Sequence, residues 1–192
     1  RIGQKFLHAG PGFGGSCFPK DTRSIAQFAR GRGSPLAIVD AVVDVNASQH
    51  RRMVDKISAC FDGNVVGKTI GVLGLSFKPE TDDVRGAPAL ALAELLLAEG
   101  AQVVVYDPMA GDRAGAELNG LTVAADPYAA AEGAACVVLC TEWAEFRDLA
   151  LPRLKGVMMQ PAMVDGRNLL DPDEVVGAGF SYHPVGRAAT GA

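Results

Sequence analysis

The chain has 192 residues, 48% of them hydrophobic and 21% charged, with a formal net charge of −4. That length accommodates one large or two small domains around a core of normal size. The mild negative charge argues against a nucleic-acid-binding domain, which is usually strongly basic. No run of about 18 apolar residues is present to cross a membrane, and no signal peptide opens the chain. The four cysteines, Cys17, Cys60, Cys136 and Cys140, form neither a CxxC pair nor a His/Cys cluster, so the reading is of a reduced, cytoplasmic protein without zinc. The opening RIGQKFL has neither a Met nor a helix-start or strand-start signal, and predicts an internal segment of a longer protein.

Residues 1–18 read as a glycine-rich loop. Pro19 and Asp21 are helix-start signals, and a helix is predicted from Pro19 to about Arg30, broken by GRGSP. Residues 36–61 form one long helical stretch, with Leu36, Val39, Val43, Met53, Val54, Ile57 and Phe61 at spacings of three and four in each half. Its polar middle, Asn46 to Arg52, interrupts the stripe. Two roles suit such a helix: an ordinary core helix, or one that connects domains or packs on a partner.

After the turn DGNVVGK the texture changes. TIGVLGLSF (69–77) predicts a buried strand, APALALAELLLAEG (87–100) a helix with Pro88 and Gly100 at its ends, and AQVVVYDP (101–108) a strand. AGDRAGAELNG reads as helical, LTVAA as a short strand, and DPYAAAEGA (126–134) as a helix capped by Asp126. ACVVLCT (135–141) is a third strong strand, EWAEFRDL (142–149) a helix, AMVDGRN (162–168) a short strand and turn, and AGFSYHPVG (178–186) an edge strand. Val- and Leu-rich strands separated by helices indicate an α/β fold, a doubly wound parallel sheet over roughly residues 66–186. Ligands bind such sheets at the carboxyl ends of the strands, which puts GLSFKPETDDVRGAP, YDP, TEW and DGR along one rim.

GVLGLS lacks the GxGxxG fingerprint. Asp107 ends the next strand in the position of a ribose-binding acid. Yet the loop after the first strand is long and carries Lys78 and Arg85, which suits a ligand with two phosphates better than the tight glycine turn of a dinucleotide site. The prediction is a nucleotide-binding sheet that does not hold NAD in the standard way.

In GPGFGGSCFPKD, the glycines at 12, 14 and 15 permit close backbone approach to a ligand. Cys17 falls at or just before a helix N-terminus, where the dipole and free amides favour a thiolate or an oxyanion. Lys20 adds a positive charge, and Asp21, one turn on, is placed to orient a water or act as a base. The plainer alternative is a glycine-rich turn with an inert cysteine.

This segment resembles the catalytic-cysteine stretch of nucleotide-sugar dehydrogenases, the UDP-glucose/GDP-mannose dehydrogenase family. GLSFKPETDDVRGAP, the leucine-rich helix and VVVYDP are similar to the start of that family's C-terminal UDP-binding domain, and TEWAEF and VDGRN fall where it carries similar stretches. FLHAGPGFGGSCFPKD is most similar to members acting on UDP-glucose, with members acting on GDP-mannose the main rival. Members acting on N-acetylhexosamine sugars usually have a His before the cysteine, where this chain has Ser16.

The resemblance implies a catalytic-cysteine loop and central helical dimerisation segment in residues 1–65, followed by a Rossmann-like UDP-binding domain in residues 66–192. It implies that Cys17 is a nucleophile that adds to an aldehyde as a thiohemiacetal, is carried on to a thioester and is released by water, with NAD accepting the hydrides and UDP-glucuronate as product. A thiolate is a strong nucleophile and a thioester hydrolyses readily. Asp21 would assist the water or proton steps. Arg1, His8, Phe13, Gly14, Phe77, Lys78 and Arg167 would contact the substrate, Arg1 across a dimer interface. Lys20 and Arg85 would lie on the cofactor side. Some relatives have a lysine where this chain has His8, which supplies less positive charge at neutral pH. Asp82 and Asp83 have a plainer role as loop acids pairing Lys78 or Arg85. The family's N-terminal NAD domain is absent from these residues, so the chain alone is expected to be inactive, and to dimerise through residues 36–61. Two other readings stay open: a module that only binds a UDP-sugar, and an unrelated flavodoxin-like domain.

Overall fold

The structure is a computed structural model that describes residue 3 and residues 7–191. Helix α1 (Phe18–Gly31) and helix α2 (Ala37–Ser58) come first, and a short 3-10 turn, Ala59–Phe61, closes α2. Strands and helices then alternate: β1 (Thr69–Leu73), α3 (Pro88–Ala98), β2 (Gln102–Tyr106), α4 (Gly111–Glu117), β3 (Leu121–Val123), α5 (Pro127–Ala131), β4 (Cys136–Leu139), α6 (Leu151–Val157), β5 (Ala162–Asp165), α7 (Pro172–Gly177) and β6 (Ser181–Pro184). The six strands form one sheet in the order β3-β2-β1-β4-β5-β6, and every neighbouring pair is parallel. This is the Rossmann-like doubly wound α/β arrangement that the alternation predicted. The strand order reverses between β1 and β4, which opens a crevice at their carboxyl ends.

The period-2 pattern of the central strands divides the core into two layers. Ile70, Val72, Cys136, Val138, Ala162 and Val164 face α2, α3 and α4 with Met53, Val54, Ile57, Leu92 and Leu96. Leu73, Val137, Leu139 and Met163 face the opposite layer with Phe146, Leu154, Val175, Phe180 and Tyr182. Burying Met53, Val54 and Ile57 stabilises the docking of α2 by about 1.5–3 kcal/mol per side chain, so its C-terminal half is fixed to the sheet. Its N-terminal half carries α1, whose Ala26 and Ala29 are buried, while Leu36, Ile38, Val42 and Val45 remain exposed.

Several sequence expectations change. The strand predicted over 69–77 ends at Leu73, because Leu75 and Ser76 turn their amides onto Asp107. The helix predicted over 142–149 is only a 3-10 turn, Ala144–Phe146, because Trp143 points inward. Helices α6 and α7 lie in residues given no element by the sequence reading. Asp126 does cap α5, accepting from the amides of Tyr128 and Ala129. No helix among the described residues is long and apolar enough to cross a membrane.

Candidate active site

The crevice at the switch point is built from the loops that follow β1, β2, β4 and β5. Asp107, at the end of β2, is the hub on one side. Its Oδ2 accepts from the amides of Leu75 and Ser76, from Ser76 Oγ and from Trp143 Nε1, and its Oδ1 accepts from the amides of Met109 and Ala110. A buried carboxylate so occupied has nothing left for a ribose. Although it stands in the position of a ribose-binding acid, Asp107 folds the Lys78 loop instead. Asp165 is its counterpart at the end of β5, accepting from the amides of Arg167, Leu169 and Leu170 and from the Tyr182 hydroxyl. Tyr182 is pushed to higher pKa by burial first and by the adjoining Asp165.

The cysteine loop lies across this rim. From the sheet side, Gly15 N donates to Arg85 O at 3.0 Å. Gly14 fits so closely that a Cβ there would stand 2.4 Å from Gly86 O, and Gly15, at φ +91°, lies against the Phe77 ring. From the α2 side, Asn46 brackets Phe13, accepting from its amide at 2.7 Å and donating to its carbonyl at 3.1 Å. Gln49 donates to Gly10 O. These α2 residues, missed as site residues, are the polar middle that interrupts the apolar stripe; the interruption was their signal. Phe13 packs edge-on against Phe18, with 4.6 Å between ring centroids.

Cys17 occupies the N-cap of α1, and its side chain is exposed rather than used as a cap. Its sulfur lies 3.7 Å from Ser16 Oγ. Asp21 raises the pKa of Lys20, and Asp83 that of Arg85, each chiefly through a side-chain hydrogen bond. Lys20 and Asp21 pair with each other at 2.5 Å, both largely exposed. Arg85 forms a two-pronged pair with Asp83, at 2.9 and 2.7 Å, and that guanidinium holds the Asp83 carboxyl down to about 2. The plainer role foreseen for the loop acids is thus present for Asp83, while Asp82 pairs with Arg113 at 3.1 Å.

Among the expected substrate contacts, Gly14 packs on Gly86 and Pro88, Phe77 lies against Gly15, and Arg167 lies beside Gly10. Phe13 is half-buried, and Lys78 is exposed on the same rim, its ammonium 5.4 Å from the Phe77 ring centroid. Arg167 is largely buried, with Nε donating to Cys140 O at 2.7 Å. His8 is exposed, ahead of the loop. Arg1 lies outside the described residues. The turn after β1 is folded by Asp107, and Arg85 is paired with Asp83. Among the described residues no group of three His, Cys, Asp or Glu is placed to hold a metal ion.

Comparison with known proteins bears on this geometry. Residues 71–172 match the UDP-binding domain of the UDP-glucose/GDP-mannose dehydrogenase family, and residues 1–48 match its central domain. The chain belongs to the UDP-glucose/GDP-mannose dehydrogenase family. It is 48% identical over 187 residues to a UDP-glucose 6-dehydrogenase of Rhizobium meliloti, covering 97% of this chain and 43% of that protein. It is 45% identical over 190 residues to one of Bacillus subtilis, covering 98% of this chain and 41% of the other. A solved UDP-glucose dehydrogenase from the archaeon Pyrobaculum islandicum superposes with a TM-score of 0.82 at 36% identity, covering 98% of this chain and 41% of that one. The chain thus spans less than half the length of these members of the UDP-glucose/GDP-mannose dehydrogenase family.

Proposed function

We propose that the chain is part of an NAD-dependent UDP-glucose 6-dehydrogenase, which converts UDP-glucose to UDP-glucuronate in two oxidations at one site. The observation that carries this reading is the seating of an exposed thiol, Cys17, on the rim of a UDP-binding sheet, through Gly14, Gly15 and Phe77. In the reaction the Cys17 sulfur adds to the C6 aldehyde of the half-oxidised sugar. The resulting thiohemiacetal is oxidised to a thioester, which water cleaves. Asp21 orients that water or carries its proton. Lys78, Arg167, Phe13, Phe77 and His8 hold the sugar nucleotide, with Arg1 reaching a neighbouring subunit's substrate. Lys20 and Arg85 face the cofactor. NAD would accept the hydrides in the whole protein, and its main binding domain is expected outside these residues.

We place the boundary between the cysteine-loop and helical segment and the UDP-binding domain near residue 65. The working form is a cytoplasmic homodimer joined through α2. The similarity to curated UDP-glucose 6-dehydrogenases supports UDP-glucose over GDP-mannose.

The test is calorimetric titration of this chain with UDP-glucose, with GDP-mannose as the control. UDP-glucose binding that is weakened by Lys78→Ala is the expected result. A preference for GDP-mannose moves the substrate, and binding of neither overturns the assignment of the site to this chain. In the full-length protein, Cys17→Ala is expected to abolish uronate formation.

A further inference from the structure

Thr141, Glu142 and Trp143 follow β4 directly, at the switch point, and the proposed chemistry uses none of them. Their side chains reach two different loops. Thr141 Oγ1 donates to Ser76 O at 2.6 Å, and Trp143 Nε1 donates to Asp107 at 3.1 Å, so both brace the loop that leads to Lys78. Glu142 reaches the opposite loop. Its Oε2 is buried and makes no hydrogen bond of good geometry, yet stands 3.1 Å from Arg167 Nε. That Nε donates to Cys140 O, and the Arg167 amide is held by Asp165. The inner edge of the guanidinium is therefore occupied. Its Nη1 end lies beside the cysteine loop, 3.0 Å from where a Gly10 Cβ would stand.

We propose that Glu142 is a positioning residue: it holds the Nε edge of Arg167 so that the outer guanidinium nitrogens face the cysteine loop and the sugar nucleotide bound there. This rests on the reading of Arg167 as a substrate contact. The single Nε–H is given to Cys140 O, so the Glu142 carboxylate acts on the inner edge through its charge, without taking the nitrogens that pair with phosphate or sugar oxygens. It acts through Arg167, so its effect vanishes when Arg167 is gone.

The experiment is a double-mutant cycle read by UDP-glucose titration: the parent chain, Glu142→Gln, Arg167→Ala and the double variant, with thermal unfolding of each as a control on folding. Glu142→Gln is expected to weaken binding about 10-fold and Arg167→Ala about 100-fold, with the double variant within about twofold of Arg167→Ala alone. Glu142→Asp, which keeps the charge and shortens the reach, is expected to fall between parent and Glu142→Gln. Additive losses, an unchanged Glu142→Gln or tighter binding by that variant each overturn the inference and leave the proposed function standing. A parent chain that fails to bind UDP-glucose overturns the proposed function and this inference with it.

Discussion

Asp107 and Asp165 flank the switch point, and each shapes the loop beside it. Replacing Asp107 with Ala leaves several buried N–H donors unpaired and is expected to cost about 3 kcal/mol or more, measured by urea unfolding. Trp143→Phe removes one of those bonds and is expected to cost about 1 kcal/mol. Asp83 and two histidines, His50 and His183, give the fold a pH dependence with the same sign. Asp83 is held near 2 against an ordinary 3.8, chiefly by its hydrogen bond from Arg85. Its contribution is complete above about pH 4 and is lost as pH falls toward 2. Arg85 is exposed, so solvent screening keeps the effect small; Asp83→Asn is expected to flatten that limb of an acid titration of stability. Burial lowers the pKa of His50 below 6.5. Burial and the nearby Lys56 lower His183 in the same way. The unfolded chain then binds protons that the folded one refuses, so stability falls as pH drops below 6.5, and His50→Gln is expected to reduce that slope. The YDP stretch shows where residue-level reading stops. An acid at the end of β2 reads the same whether it meets a ribose or a backbone, and only the folded course of Leu75 and Ser76 distinguishes the two.

At the scale of the element, the cysteine loop is held by contacts that tolerate no side chain. Gly14→Ala pushes a methyl group into Gly86 O and is expected to lift the loop from the rim. A loss of about 1–3 kcal/mol and faster labelling of Cys17 by a thiol reagent are the expected results; an unchanged labelling rate counts against the docked loop. The main elements were legible because punctuation and periodicity agreed: Pro19 and Pro88 open helices, and the Val-rich runs form the central strands. The TEW helix was not, because Trp143 exchanges helical continuation for a bond to Asp107. Helix α6 spans seven residues, too few to display a periodic face. Helix α7 was readable, since Asp171 and Pro172 repeat the cap-and-proline signal of Asp126 and Pro127. The site was legible as a motif, but the bracket of Asn46 and Gln49 was not. The break in the apolar stripe marked the α2 residues, but their partners lie more than 30 positions away, and no local pattern records that pairing.

Across the whole molecule, α1 and the first half of α2 present Ile25, Phe28, Leu36, Ile38, Val42 and Val45 to solvent, with Ile38 at 82% exposure. Exposed apolar side chains of this kind suit the proposed dimer surface. Ile38→Asp is expected to convert a dimer into a monomer by light scattering while circular dichroism stays unchanged; a monomeric parent chain at micromolar concentration would count against the dimer. The sheet order has a separate consequence, for synthesis. β1 emerges long before β4, its central partner, and Ile70 pairs with Cys136 across the whole β1-to-α5 stretch. Until that pairing closes, a nascent chain carries β1 with one hydrogen-bonding edge bare and its Val- and Leu-rich faces half covered. Parallel pairing across such a gap is slow, and an open edge invites pairing with another chain. A ribosome pausing before residue 136 would therefore release its most aggregation-prone species, and co-expression of a chaperone should raise the soluble yield most for chains truncated just short of β4.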